Sequence, residues 1–180
     1  MEKMVQAGRP VKLRHLKPRI IMFRQSRFSI VNPDPHGKPP HSMLISLAKI
    51  LVWFIEEWYS RLFLDNNEPL LICDRYYHDL LVDPMRYRYS GPRWAAVLVG
   101  KLIPKPDLWV LLDAPASLLQ SRKQEVPPEE SERQRQAYLA FVTRQSNYVV
   151  INASQSLNDV IDEVESATLK ATAKSRGNRE

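Results

Sequence analysis

At 180 residues the chain is long enough to close about two-thirds of its unfolded surface around a single core, and one domain is the expectation. Hydrophobic residues at 44% and charged residues at 26% exclude a mostly disordered protein, and one cysteine, Cys73, excludes an internal disulfide and any Cys/His zinc spacing. The net charge of +6 suits anionic partners, although 20 acidic residues are interspersed with the 26 basic ones.

The opening "MEKMVQAGRP" lacks the continuous apolar core of a signal peptide, so a cytoplasmic location is expected. Residues 11–16, "VKLRHL", alternate apolar and basic as an edge strand does, and Pro18 closes them because proline cannot donate to a ladder. From Arg24 to His41 a basic stretch rich in proline follows, too long for a routine connector and suited to a lid or binding loop. Ser42 is placed to cap the apolar helix "SMLISLAKILVWFIEEWYSRLFL", residues 42–64. Lys49, Glu56, Glu57 and Arg61 interrupt that helix, which argues for a buried element rather than a membrane span.

Three short apolar runs come next, each stopping at a polar residue: "LLICD" at 70–74, "WVLLD" at 109–113 and "YVVIN" at 148–152. Runs apolar at every position predict strands covered on both faces, the habit of parallel sheets whose strands are joined by crossover helices. The starts are 39 residues apart in both cases, which leaves room for one or two helices in each crossover. Pro115 opens one such helix, "PPEESERQRQAYLAFVTRQ" forms another with its acids near the start, and Ser156 with Asp159 has the spacing of a capping box before the last. The prediction is an α/β protein with a mostly parallel sheet, one domain over residues 1–174 and a frayed tail at 175–180.

In open parallel sheets ligands gather at the carboxyl ends of the strands, where Asp74 and Asp113 both stand. Asp113, followed by Ala114 and Pro115, reads most simply as a turn or helix-capping residue. Asp74 differs because Arg75 follows it: a guanidinium forks onto phosphate oxygens, and a neighbouring carboxylate accepts a proton, holds a hydrated magnesium ion or fixes the arginine. An ordinary surface ion pair is the competing reading.

"LLICDRY", "PKPDLWVLLDAPASLLQSRKQE" and "RQRQAYLAF" followed by "YVVINASQSLNDVIDEV" resemble the thymidylate kinases, over about residues 66–168, and "CDRYYHDLLVDPMRYRYSGP" is similar to a kinase-like branch of unsettled substrate. The resemblance implies a three-layer fold of the P-loop type with helices on both faces of the sheet, ATP and Mg2+ as companions of the reaction, and phosphoryl transfer to a nucleoside monophosphate or related small acceptor. It implies that Asp74 stands near the reacting phosphates as a Mg2+ ligand, that Arg75 grips the acceptor phosphate and that Tyr76 lines its pocket, that Arg122 borders ATP, and that Lys123, Arg133 and Arg135 stabilise charge during transfer. For these last the competing reading is a helix surface with charge pairs such as Glu132 and Arg135. Arg86 and Arg88, interleaved with Tyr87 and Tyr89, would extend the acceptor site or serve a flat aromatic ring, with a bare surface turn as the alternative. Pairing of two copies through residues 42–64 is a further expectation, with no membrane or nucleic-acid partner.

The sequence departs from that family in one decisive feature: no G-x-x-x-x-G-K-S/T phosphate loop is present, and "GKPP" at 37–40 has prolines where the hydroxyl and helix should begin. The expected form is therefore a shortened kinase-like chain missing the first central strand of its sheet and inactive by itself. The alternative is a non-catalytic relative that binds a phosphorylated ligand or a protein. The arginine-proline-glycine loop that seats thymidylate is not seen after "VKLRHL", so thymidylate itself is not the expected acceptor.

Overall fold

The computed structural model describes residues 12–15, 39–64, 70–122, 124 and 126–177, with only the backbone at 12–15, 64 and 175–177. The proline-rich stretch therefore lies outside the described residues except for its last positions, 39–41, as does Lys123. The chain forms two compact units, residues 1–104 and 105–180, where the sequence predicts one domain over 1–174. The mixture of helices and parallel strand pairs is α/β.

In the first unit β1 (Lys12–His15) pairs in parallel with β2 (Leu71–Asp74), the last residue of each facing the other. Between them runs α1 (Met43–Tyr59), extended by a wider helical turn over Ser60–Leu64. As the sequence predicts, Ser42 caps α1, its hydroxyl accepting from the Ile45 amide at 3.5 Å. Ser46, Ile50, Trp53 and Glu57 recur at helical spacing and form the buried face. The opposite face carries Leu44, Leu51, Ile55 and Leu62, all more than half exposed, so this helix is buried along one stripe only. No helix among the described residues is long and apolar enough to cross a membrane.

After β2 come the short α2 (Asp79–Val82) and α3 (Arg93–Leu102). Their core partners are Tyr77, Leu80, Tyr89, Ala95, Ala96 and Ile103, which close over Ile50 and Trp53 of α1. Trp58 at the far end of α1 donates its indole proton to the Leu102 carbonyl at 3.1 Å, tying α1 to the end of α3.

In the second unit β3 (Trp109–Asp113) and β4 (Tyr148–Asn152) pair in parallel and in register, Trp109 beside Tyr148 and Asp113 beside Asn152. Two helices, α4 (Ala116–Arg122) and α5 (Pro128–Val142), form the crossover, and α6 (Leu157–Gly177) follows β4. The capping box at the start of α6 is present: the Asp159 amide donates to Ser156 Oγ at 3.3 Å and that hydroxyl donates to Asp159 Oδ2 at 2.6 Å. The helix continues to Gly177, and the remainder of the expected tail, 178–180, lies outside the described residues.

Coverage of this sheet is diagonal. Helix α5 lies on the face of β3 that bears Trp109, whose ring meets Phe141 edge to face at 5.1 Å, while α6 packs on β4 around the buried Ile151. Val110, Leu112, Tyr148 and Val150 stay exposed. Within the unit each strand is thus covered on one face, where the unbroken apolar runs predict two. Among the described residues the four strands make two separate two-stranded sheets rather than one.

Candidate functional site

Asp74 ends β2 with its side chain exposed, and Arg75 then turns the chain in the left-handed region at φ 66°. A residue with a Cβ pays for that conformation, on the order of 1–2 kcal/mol, so the surrounding structure must enforce it. Four residues do so. Tyr76 donates its phenol proton to the Pro104 carbonyl at 2.5 Å and Tyr77 donates to that of Ala96 at 3.0 Å. The His78 Nε2 meets the Gly100 carbonyl at 2.8 Å; a carbonyl only accepts, so the proton sits on Nε2. A Cβ at position 100 would stand 3.3 Å from the Tyr77 ring and 3.5 Å from that of His78, so glycine gives both rings their seat on α3.

The fourth is Asp79, which is 8% exposed and whose Oδ2 accepts from Arg75 Nη1 at 2.8 Å and from the Tyr87 phenol at 2.5 Å. The Arg75 side chain is itself 40% exposed, so a buried carboxylate holds it while part of it faces solvent. Asp79 is not among the site residues that the sequence predicts. The signal was present in "DRYYHDLLV", an acid one helical turn after the arginine and at the head of an apolar run.

Residues 84–89 form a compact turn in which the Tyr87 and Tyr89 amides both donate to the Pro84 carbonyl, at 3.2 and 2.9 Å, and the Arg86 amide donates to Asp83 Oδ1 at 3.1 Å. Arg88 is the second residue in the left-handed region, at φ 53°, and its Nε donates to the Pro39 carbonyl at 2.7 Å. Lys49, seen in the sequence only as an interruption of an apolar helix, donates to the Tyr87 carbonyl at 2.7 Å and lies 5.0 Å from the centre of the Trp53 ring.

Burial, and then the positive charge of Arg88, lower the Lys49 ammonium from 10.5 to about 8. Between those two values the unfolded chain holds a proton that the folded chain has released, so this lysine makes the fold gain stability as pH rises from 8 to 10.5. Burial raises the phenols of Tyr77 and Tyr89, which act in the opposite sense above 10 because the unfolded chain ionises first. We expect urea midpoints of wild type minus Lys49→Met to climb across the lysine window; a flat difference would remove the desolvated ammonium from the account.

In the second unit the arginines proposed for charge stabilisation are engaged locally. Arg135 grips Asp113 with two parallel bonds, Nε to Oδ1 at 2.8 Å and Nη2 to Oδ2 at 2.9 Å, and adds Glu132 Oε1 at 3.3 Å. The hydrogen bond to Asp113 comes first among the causes that hold its guanidinium even more firmly protonated than usual. Asp113 is therefore the anchor of α5 on β3. Arg133 is paired with Glu130 at 2.6 and 2.7 Å on the exposed helix surface, and Arg122 donates to the Ala153 carbonyl at 3.3 Å. Among the described residues no three His, Cys, Asp or Glu side chains converge as a metal cage. A single exposed carboxylate such as Asp74 fits only a Mg2+ that keeps its waters and arrives with a phosphate ligand.

No family model matches the chain, and no curated protein matches it.

Proposed function

We propose that this chain binds a small phosphorylated molecule through the turn that follows β2, as the acceptor half of a thymidylate kinase-like phosphotransferase with that family's three-layer arrangement. The observation that carries the reading is Arg75. It follows an aspartate at the carboxyl end of a parallel strand, adopts a conformation that costs free energy, and has its guanidinium braced by a buried carboxylate at 2.8 Å. Phosphoryl transfer is mostly positioning and charge neutralisation, work suited to a fixed guanidinium beside a carboxylate able to share Mg2+ with phosphate oxygens. ATP would be the donor in a complete enzyme.

The grip on Arg135 favours a binding role over a catalytic one for the chain alone, because a guanidinium held by two parallel bonds to Asp113 and a third to Glu132 has few donors left for spreading phosphate charge. The sequence also carries no loop to cradle ATP phosphates. Calorimetry with a panel of nucleoside monophosphates should give heat for at least one with wild type and clearly less with Arg75→Gly, a change that keeps the left-handed backbone while removing the guanidinium. The same preparation should form no ADP from ATP. Equal heats in both proteins would dismiss the Arg75 site, and sustained ATP turnover would overturn the non-catalytic form of the reading.

A further inference from the structure

We propose that His41, Lys49 and Arg88 form a second oxyanion site, built for a phosphate-type group on a small ligand. Three stretches of chain are stapled together to make it. The His41 amide donates to the Arg88 carbonyl at 2.8 Å, the Arg88 guanidinium donates back to the Pro39 carbonyl at 2.7 Å, and Lys49 on α1 donates to the Tyr87 carbonyl at 2.7 Å. Ser90 closes the ring: its amide donates to Ser46 Oγ at 3.0 Å and its hydroxyl to the His41 carbonyl. These bonds bring three basic side chains to the first turns of a 17-residue helix whose amino end is itself partly positive.

No carboxylate among the described residues lies within ion-pair distance of any of the three. Burial comes first among the causes that disfavour the charged forms of His41 and Lys49, and mutual repulsion adds to it: Arg88 acts on Lys49, and both act on His41. Asp79 is engaged by Arg75 and by the Tyr87 phenol. Arg88 is also held at φ 53°, which a residue with a Cβ tolerates only at a cost. Basic groups gathered in a partly desolvated place, beside a strained backbone and with no carboxylate among the described residues in ion-pair distance, make a set that an anion would complete. The donors suit a phosphoryl group: the terminal nitrogens of a guanidinium whose Nε is held by Pro39, a compact ammonium and an imidazole. The charges are confined to one end of one helix, whereas a polyanion such as nucleic acid is met by a stripe.

This extends the acceptor reading above yet does not require phosphoryl transfer. The test uses inorganic phosphate as the probe on the 180-residue protein, with sodium chloride at matched ionic strength as the control, reading thermal stability at neutral pH. Millimolar phosphate is expected to raise the midpoint of wild type beyond the chloride control. Lys49→Met, which also gives up the bond to the Tyr87 carbonyl, and His41→Gln, which keeps the backbone bond to Arg88, are each expected to weaken phosphate about tenfold, the loss of one charge-assisted contact. Arg75→Gly should leave this effect in place. Phosphate stabilisation lost only in Arg75→Gly would overturn the second site and keep the first. No stabilisation beyond chloride, or equal stabilisation in wild type and both cluster variants, would overturn it outright, as would an oligonucleotide that binds without competition from phosphate.

Discussion

Replacing Trp53 with alanine is expected to cost about 3–5 kcal/mol, the largest single loss in the first unit. Its side chain is 2% exposed and its ring meets Tyr77 edge to face at 5.9 Å and Tyr87 at 5.4 Å, with Lys49 above it. Truncation would leave a cavity under both tyrosines, and those tyrosines seat the turn after β2 on α3 and hold Asp79. Trp53→Phe should behave differently. The indole Nε1 is buried without an acceptor among the described residues, so phenylalanine removes an unsatisfied donor while keeping a ring. Its cost is expected to stay below about 1.5 kcal/mol, as for a modest change of shape in a packed core. Urea denaturation of both variants checks the pair of values. Equal losses would mean that the indole nitrogen, rather than the ring, carries the contribution.

The second large effect is expected at Asp79. Changing it to alanine leaves the Arg75 guanidinium and the Tyr87 phenol without their shared acceptor. A hydrogen bond to a buried charged group contributes about 1.5–3 kcal/mol. Arg75 is 40% exposed and regains water, which trims its share, so about 2–3 kcal/mol is expected in all. Asp79→Asn keeps an acceptor for the phenol and should lose about half of that. A double-mutant cycle between Asp79→Ala and Tyr87→Phe isolates the buried bond and should return a coupling of about 1 kcal/mol or more. A coupling near zero would show that carboxylate and phenol act independently, and would weaken the case that Asp79 braces Arg75.

The two losses differ in what they do to function. Trp53→Ala undermines both proposed anion sites, because its ring lies beneath Lys49 and beside Tyr87. Asp79→Ala releases Arg75 and leaves the staples between His41, Arg88 and Ser90 in place. Comparing phosphate binding by the two variants therefore separates general collapse of the unit from local loss of one guanidinium.

Features that depend on a few neighbouring residues were legible in the chain itself. The strands Trp109–Asp113 and Tyr148–Asn152 coincide with apolar runs bounded by turn formers, and β2 begins one residue inside its run. Ser42 and the Ser156–Asp159 pair cap their helices as the spacing predicts, and α5 carries Glu129 and Glu130 in its first turn. Caps, helix dipoles and strand propensity act within about one turn of chain, so sequence order suffices to locate them.

Side-chain partnerships formed across the fold were not legible, because a charged residue's partner is set by how elements pack and not by its neighbours. Asp113 reads as a turn residue yet holds Arg135, 22 positions away. Lys49 reads as a blemish in an apolar helix yet reaches Tyr87, 38 positions away, and shares its surroundings with Arg88. The strand pairings and the diagonal covering of the β3–β4 sheet belong to the same class. An unbroken apolar run announces that a strand will be buried, but which face is covered, and by which helix, depends on loop closure and packing over tens of residues. The sequence by itself determined the four strands, the capped starts of α1 and α6, and that an arginine follows an aspartate at a strand end; it did not place α2 or α3. Only the tertiary structure decided that this arginine is braced by Asp79, and that the basic residues His41, Lys49 and Arg88 gather near the start of α1.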